Sequence, residues 1–223
     1  MADSELAPSD RTRLRRKKER GSHERGLIER ILDEGFICHV GFAEDGSTVV
    51  LPTAYARVGD TVYLHGAAGN RMLRALATGI DACVTVTLLD GLVLARSAFH
   101  HSMNYRSVVL FGRGRAVEDV DDKRAAVLAI VEHMAPGRSA DARLPTDTEL
   151  RSTLVVAFPI EEGSAKVRRG GPIDDPEDLD LPVWAGHVPF VTSLGAPEPD
   201  AEPGREVALP AYITDLLESR RPT

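Results

Sequence analysis

VVLPTAYARVGDTVYLHGAAGNRMLRAL, residues 49–76, is the stretch whose reading decides the fold. Residues 49–56 are apolar and β-branched enough for a strand, and Gly59-Asp60 turns the chain into a second strand over 61–66. A small-residue loop follows. A short helix then fits Arg71 to Ala77, with Met72, Leu73 and Leu76 on one face and Gly79 as its stop.

The same grammar extends in both directions. Upstream, Ser22 is placed to cap a helix carrying Leu27, Ile28, Ile31 and Leu32, which Gly35 ends. The ordered domain is therefore expected to begin near residue 22. Phe36, Cys38, Val40 and Phe42 then alternate as on a half-buried strand, and Asp45-Gly46 signals a hairpin. Downstream, strands are expected over 82–89 and 92–99, with Asp90-Gly91 as a hairpin between them, then over 107–117, 153–160 and 164–168. The strongest helix runs from Asp121 to Met134 before Pro136-Gly137, and Thr146 with Glu149 forms a capping-box pattern. Strands dominate and hairpins connect many of them. This predicts a mainly β (α+β) fold, an antiparallel barrel with flanking helices, rather than a parallel doubly wound sheet.

Three segments emerge: a basic arm over 1–21, the barrel domain over 22–170, and an acidic Pro/Gly-rich extension over 171–223 containing Trp184. The 223 residues carry a net charge of −7, unevenly spread. Residues 11–20, RTRLRRKKER, hold seven basic residues and one acidic one, whereas 174–223 hold eleven acidic and three basic. The acidic total argues against nucleic acid as a partner. The basic run reads most simply as a solvated arm, with phosphate binding or subunit wrapping as sharper alternatives. No apolar run is long enough to span a membrane and no charged-then-apolar leader opens the chain. Two cysteines make no disulfide framework, which fits a cytoplasmic protein.

Two constellations carry chemistry. In HGAAGNRM (65–72) a strand ends, small residues allow close backbone approach, and Arg71 stands in a helix's first turn. That arrangement suits a phosphate, although an ordinary strand-to-helix turn with a surface arginine reads the same way. In HHSMNYRS (100–107), Asn104, Tyr105, Arg106 and Ser107 precede a strong strand and suit an aromatic, phosphate-bearing ligand; the plainer reading is a self-satisfied polar loop. His65 beside the first loop is the one candidate for a catalytic side chain. Adjacent His100 and His101 would face opposite ways on a strand, and with no HExxH or CxxC spacing no metal site is expected.

The order and spacing of several segments resemble the pyridoxamine 5′-phosphate oxidase-like split barrels, and within them the flavin-nucleotide-binding group related to nitroimidazole reductases. The segments are RLRRKKER, GFICHVGF, residues 49–76, TLLDGLVLARSAFHHSMNYRSVVLFGRGRAVED, PGR (136–138) and AKVRRGGPIDDPEDLDLPVWAGHVPF; together they cover about residues 11–191. The resemblance implies a six- to eight-stranded antiparallel split β-barrel that forms a homodimer with FMN at the subunit interface. It places Val50, Leu51, Pro52 and Thr53 along the isoalloxazine and ribityl chain. His65, Asn70, Arg71 and Met72 fall around the phosphate, Asn104 to Ser107 approach the same cofactor, and Trp184 covers the site. It implies an oxidoreductase acting on a small molecule, possibly a nitroaromatic. Alternatives within the resemblance are a flavin store or redox sensor, or a barrel holding haem, pyridoxal phosphate or a deazaflavin. The ending ESRRPT lacks the arginine and histidine arrangement of the true oxidase, so vitamin B6 oxidation is not expected.

Overall fold

The computed structural model describes residues 5–200 and 207–220; the remaining parts of the basic arm and of the acidic extension lie outside the described residues. Elements follow in chain order: β1 (Gly21–Ser22), α1 (Arg25–Glu34), β2 (Ile37–Glu44), β3 (Ser47–Val58), β4 (Thr61–Ala67), α2 (Arg71–Ala77), β5 (Asp81–Leu94) and β6 (Ser102–Arg113). Then come β7 (Arg115–Ala116), α3 (Val120–Met134), α4 (Arg138–Asp141), α5 (Asp147–Arg151), β8 (Thr153–Pro159), β9 (Glu162–Arg168), β10 (Gly186–Pro189) and α6 (Ala211–Ser219). All strands join one antiparallel sheet in the order β1-β9-β6-β5-β2-β3-β4-β8-β7, with β10 added to β5. The sheet does not close, so the fold is an antiparallel split barrel with flanking helices.

The interior follows from strand alternation. Cys38, Val40 and Phe42 of β2, Val84 and Val86 of β5, and Val108 and Leu110 of β6 all point inward and are buried. α1 adds Ile28, Ile31 and Leu32 to the same core, and α2 adds Met72, Leu73 and Leu76. Tyr55 is fully buried, and its hydroxyl donates to the Leu32 carbonyl at 2.6 Å, tying β3 to the end of α1. α3 packs on β3, β4 and β8 from outside, over a smaller cluster of Val117, Ala126, Val155 and Ala157.

Several local expectations are corrected. α1 starts at Arg25, not at Ser22; Ser22 lies on β1, where its hydroxyl accepts from the Glu24 N–H at 3.1 Å. Order does not begin there either. Leu6 and Thr12 are buried, and Arg11 and Ser9 both bind Glu162 of β9, so the arm is packed on the barrel. Asp90-Gly91 is not a hairpin. It is a bulge inside one fourteen-residue strand that pairs with β6 on both sides of the irregularity. Gly91 is required there by crowding: a Cβ would come within 2.6 Å of the Val188 carbonyl oxygen and 2.3 Å of the His187 ring. β6 begins at Ser102 rather than 107, and Gly114 separates it from β7. The tail contributes a strand, β10, that its Pro- and Gly-rich composition hid.

Candidate functional site

β3 changes partners partway. Residues 47–54 pair with β2, residues 55–58 pair with β4, and no strand takes the other edge of 47–54 among the described residues. That open edge carries Val50, Leu51, Pro52 and Thr53. Val50 is 58% exposed and Pro52 is exposed, whereas Leu51 packs on the core and Thr53 is half-buried. An edge with unpaired backbone groups and apolar side chains is unusual in water, and it invites a flat, hydrogen-bonding ligand.

The loop after β4 sits at the same end of the barrel. Asn70 caps α2, its side chain accepting from the Leu73 N–H at 3.1 Å. Arg71 reaches Glu44 at 3.0 Å, joining α2 to the β2–β3 hairpin, and its side chain is 63% exposed. Such an exposed pair is weak, and its guanidinium can exchange a carboxylate for a phosphate at little cost. Met72 points the other way, into the core at 3% exposure, so it packs and does not face a ligand. His65 sits opposite Val155 on β4, and its Nδ1 is buried with no hydrogen-bond partner. Burial pushes the imidazole's pKa below its ordinary value and so favours the neutral form.

The second group lies elsewhere in the chain. β5 and β2 stand between β6 and β3, so one subunit does not bring Asn104–Ser107 to the open edge. Asn104 is buried, donates to the Gly170 carbonyl at 3.0 Å and accepts from Arg168. Arg106 is held by two carboxylates: Nη2 lies 2.7 Å from Glu34 and 2.8 Å from Asp90. Those contacts, Glu34 first and then Asp90, raise its pKa. Arg106 therefore ties α1 to the β5 bulge and is not free for a phosphate. Ser107 donates to the Lys166 carbonyl at the limit of 3.5 Å, and Tyr105 lies on β6 opposite Arg168. Beside Arg106 a cleft of about 1030 Å³ opens between Phe36, Leu89 and the tail residues Phe190 and Arg220. Trp184 is 65% exposed in the single chain, its ring folded over Gly186.

Sequence reasoning missed Arg168, Arg20, Glu34 and Asp90. The alternation of AKVRR, once β9 is paired with β6, puts Lys166 and Arg168 on one face, and that was the available signal. His100 does meet acidic residues: its ligand atom and those of Asp175 and Asp178 lie within 4.8 Å of one another. His100 Nε2 is already paired with Asp175 at 3.0 Å on the surface.

The architecture and the strand-to-helix junction define a split barrel of the kind that presents an open β edge next to an arginine. The family model described as pyridoxamine 5′-phosphate oxidase matches residues 24–167, and the chain belongs to that family. Among solved structures it is similar to the flavocytochrome Anf3 of Azotobacter vinelandii, at 38% identity over 94% of this chain and 98% of that one, with a TM-score of 0.88. It is similar to a FAD- and haem-binding protein of Mycobacterium smegmatis, at 38% identity over 89% and 97%, with a TM-score of 0.85. A structure from Bacteroides thetaiotaomicron assigned to 5-nitroimidazole antibiotic resistance matches at 26% identity over 66% and 86%, with a TM-score of 0.55. No curated protein matches the chain. Among the described residues no helix is long and apolar enough to cross a membrane.

Proposed function

We propose that this chain is a flavin-binding redox protein that works as a homodimer. The observation that carries this reading is the open edge of β3 at residues 47–54, with Val50 and Pro52 exposed on it and Arg71 at the same end of the barrel. The residues present fit a flavin. The edge offers backbone donors and acceptors to a ring, Val50 and Pro52 offer apolar contact, and Arg71 offers a guanidinium to a phosphate. A bound flavin supplies one- and two-electron redox chemistry; the chain's own part is to bind, orient and exclude water. FMN is the flavin implied by the sequence resemblance. The two relatives at 38% identity, a flavocytochrome and a FAD- and haem-binding protein, support FAD together with haem instead.

His65 favours the haem half of that reading. Burial lowers its pKa and so favours the neutral form that ligates iron, and its Nδ1 has no hydrogen-bond partner. The likeness to the nitroimidazole-resistance structure supports a nitroaromatic as the acceptor to try first.

The test is an absorption spectrum of the purified protein, with chromatography of the heat-released flavin. FAD, together with a haem band that His65→Ala abolishes, is the expected result. A colourless protein that takes up neither FMN nor FAD would overturn the flavin reading. Reduced flavin whose reoxidation is unchanged by every acceptor tried would assign it to storage or sensing instead.

A further inference from the structure

Arg168 is 5% exposed, and it is the one buried cation in the described chain that no carboxylate answers. Its Nη groups go to neutral acceptors: the Asn104 side chain, the Gly170 carbonyl at 3.2 Å and the Gly171 carbonyl at 3.1 Å. Its Nε is buried and has no partner. Holding the turn at Gly170-Gly171 accounts for the Nη contacts, but not for the orphaned Nε. A second cation stands at the same junction. Arg20 closes the Lys18–Arg20 turn, which packs on β9 and runs straight into Gly21 opposite Lys166, and its side chain is only 22% exposed. Its nearest carboxylate is Glu19, at 4.0 Å. Lys166 lies two residues from Arg168 on the same face of β9, half-buried, directly opposite Gly21 of the arm and without an ion pair among the described residues.

A buried cation that no carboxylate answers is costly, and here two further cations, one half-buried and one with only a distant carboxylate, stand at the same junction, an arrangement that an anion from outside would complete. We propose that this junction of the basic arm with the end of β9 is an oxyanion site, in which Arg20, Lys166 and Arg168 bind a phosphoryl or carboxylate group. The packing of the arm now has a purpose: the anchor of Leu6, Thr12 and Arg11 fixes where Arg20 stands. Tyr105 stands opposite Arg168 on the neighbouring strand β6. The site stands apart from the open edge of β3, with β6, β5 and β2 between them.

The anion has three possible sources with the same chemistry: the second phosphate of a dinucleotide flavin, a haem propionate, or a free phosphorylated small molecule. Inorganic pyrophosphate is the probe, since its binding requires no flavin and so tests this site separately from the flavin reading. Calorimetric titration of the full chain is compared with Arg20→Gln and Lys166→Gln, both able to fold because neither residue belongs to the core. Each substitution is expected to weaken pyrophosphate at least tenfold, and added salt to weaken it further. Where a cofactor already fills the site, the same variants instead lose it. Loss of FAD with FMN affinity unchanged assigns the anion to the dinucleotide, loss of haem assigns it to a propionate, and loss of pyrophosphate alone assigns it to a free ligand. If both variants keep pyrophosphate affinity, flavin content and haem content at wild-type levels, the proposal is wrong.

Discussion

At the scale of single residues, chemistry is decided by which way a side chain points. Arg71 is exposed and held by one surface carboxylate, so Arg71→Ala removes little from the fold and takes a charged contact from a bound phosphate. The expected effect is a loss of roughly 1–3 kcal/mol in flavin affinity, read by fluorescence titration. An unchanged affinity would move the phosphate elsewhere. His65 supplies a pH dependence. Burial sets its folded pKa below the unfolded value of about 6.5. As pH falls through that unfolded value, the unfolded chain takes up a proton that the folded chain refuses, so stability declines until the folded pKa is passed. In thermal melts between neutral pH and pH 5, His65→Asn should lose less of its melting temperature than the wild type; parallel losses would show that His65 is not the titrating group. Residue types in HGAAGNRM were legible without coordinates, because a strand, a small-residue loop and a helix start can be read locally. The fates of Met72, Asn104 and Arg106 were not. Each is set by partners distant in sequence: the core for Met72, Arg168 for Asn104, and Glu34 with Asp90 for Arg106.

At the scale of elements, periodicity served where the chain obeys one period. α2 and α3 match their expected spans because apolar spacing, an asparagine or aspartate cap and a stop signal all agree there. β5 is the instructive failure. Asp-Gly satisfies every local rule for a hairpin, but the long ladder to β6 continues past it and absorbs the extra residue as a bulge. Beyond that bulge β10 pairs with the far end of β5, His187 against Val93 and Val188 against Leu92, and Gly91 of the bulge lies beneath the tail strand. Gly91→Ala should therefore eject β10 while leaving the ladder between β5 and β6 largely intact. Limited proteolysis is the direct measurement. Cleavage within 170–200 should become much faster in the variant, with the barrel fragment still resistant. A tail equally protected in both proteins would mean that the clash is relieved by a small shift and that β10 does not depend on the glycine.

At the scale of the whole molecule, the question is what covers the outer face of the central strands. The helices lie elsewhere: α1 fills the barrel mouth and α3 packs over β3, β4 and β8. Ile37 remains 48% exposed, Val50 58% and Leu89 52%, with His39, Pro52 and Thr87 exposed between them. Exposed apolar side chains grouped on one sheet face mark a candidate interaction surface. On the homodimer proposed above, the occupant would be a second copy of the chain, with a two-fold axis laying this face on itself. It would also carry Tyr105 and the exposed Trp184 of one subunit toward the open β3 edge of the other, uniting residues that one chain keeps apart. Ile37→Lys tests this in one step. On a free surface the lysine is harmless, but within an interface it is an unpaired buried charge. Sedimentation should show the wild type at twice the chain mass and the variant as a monomer. Flavin affinity should fall together with the loss of the dimer, since the site would lose its second subunit, while the far-UV spectrum stays that of the folded barrel. A variant that remains dimeric with full flavin affinity would place the interface on another surface and leave the outer face without this role.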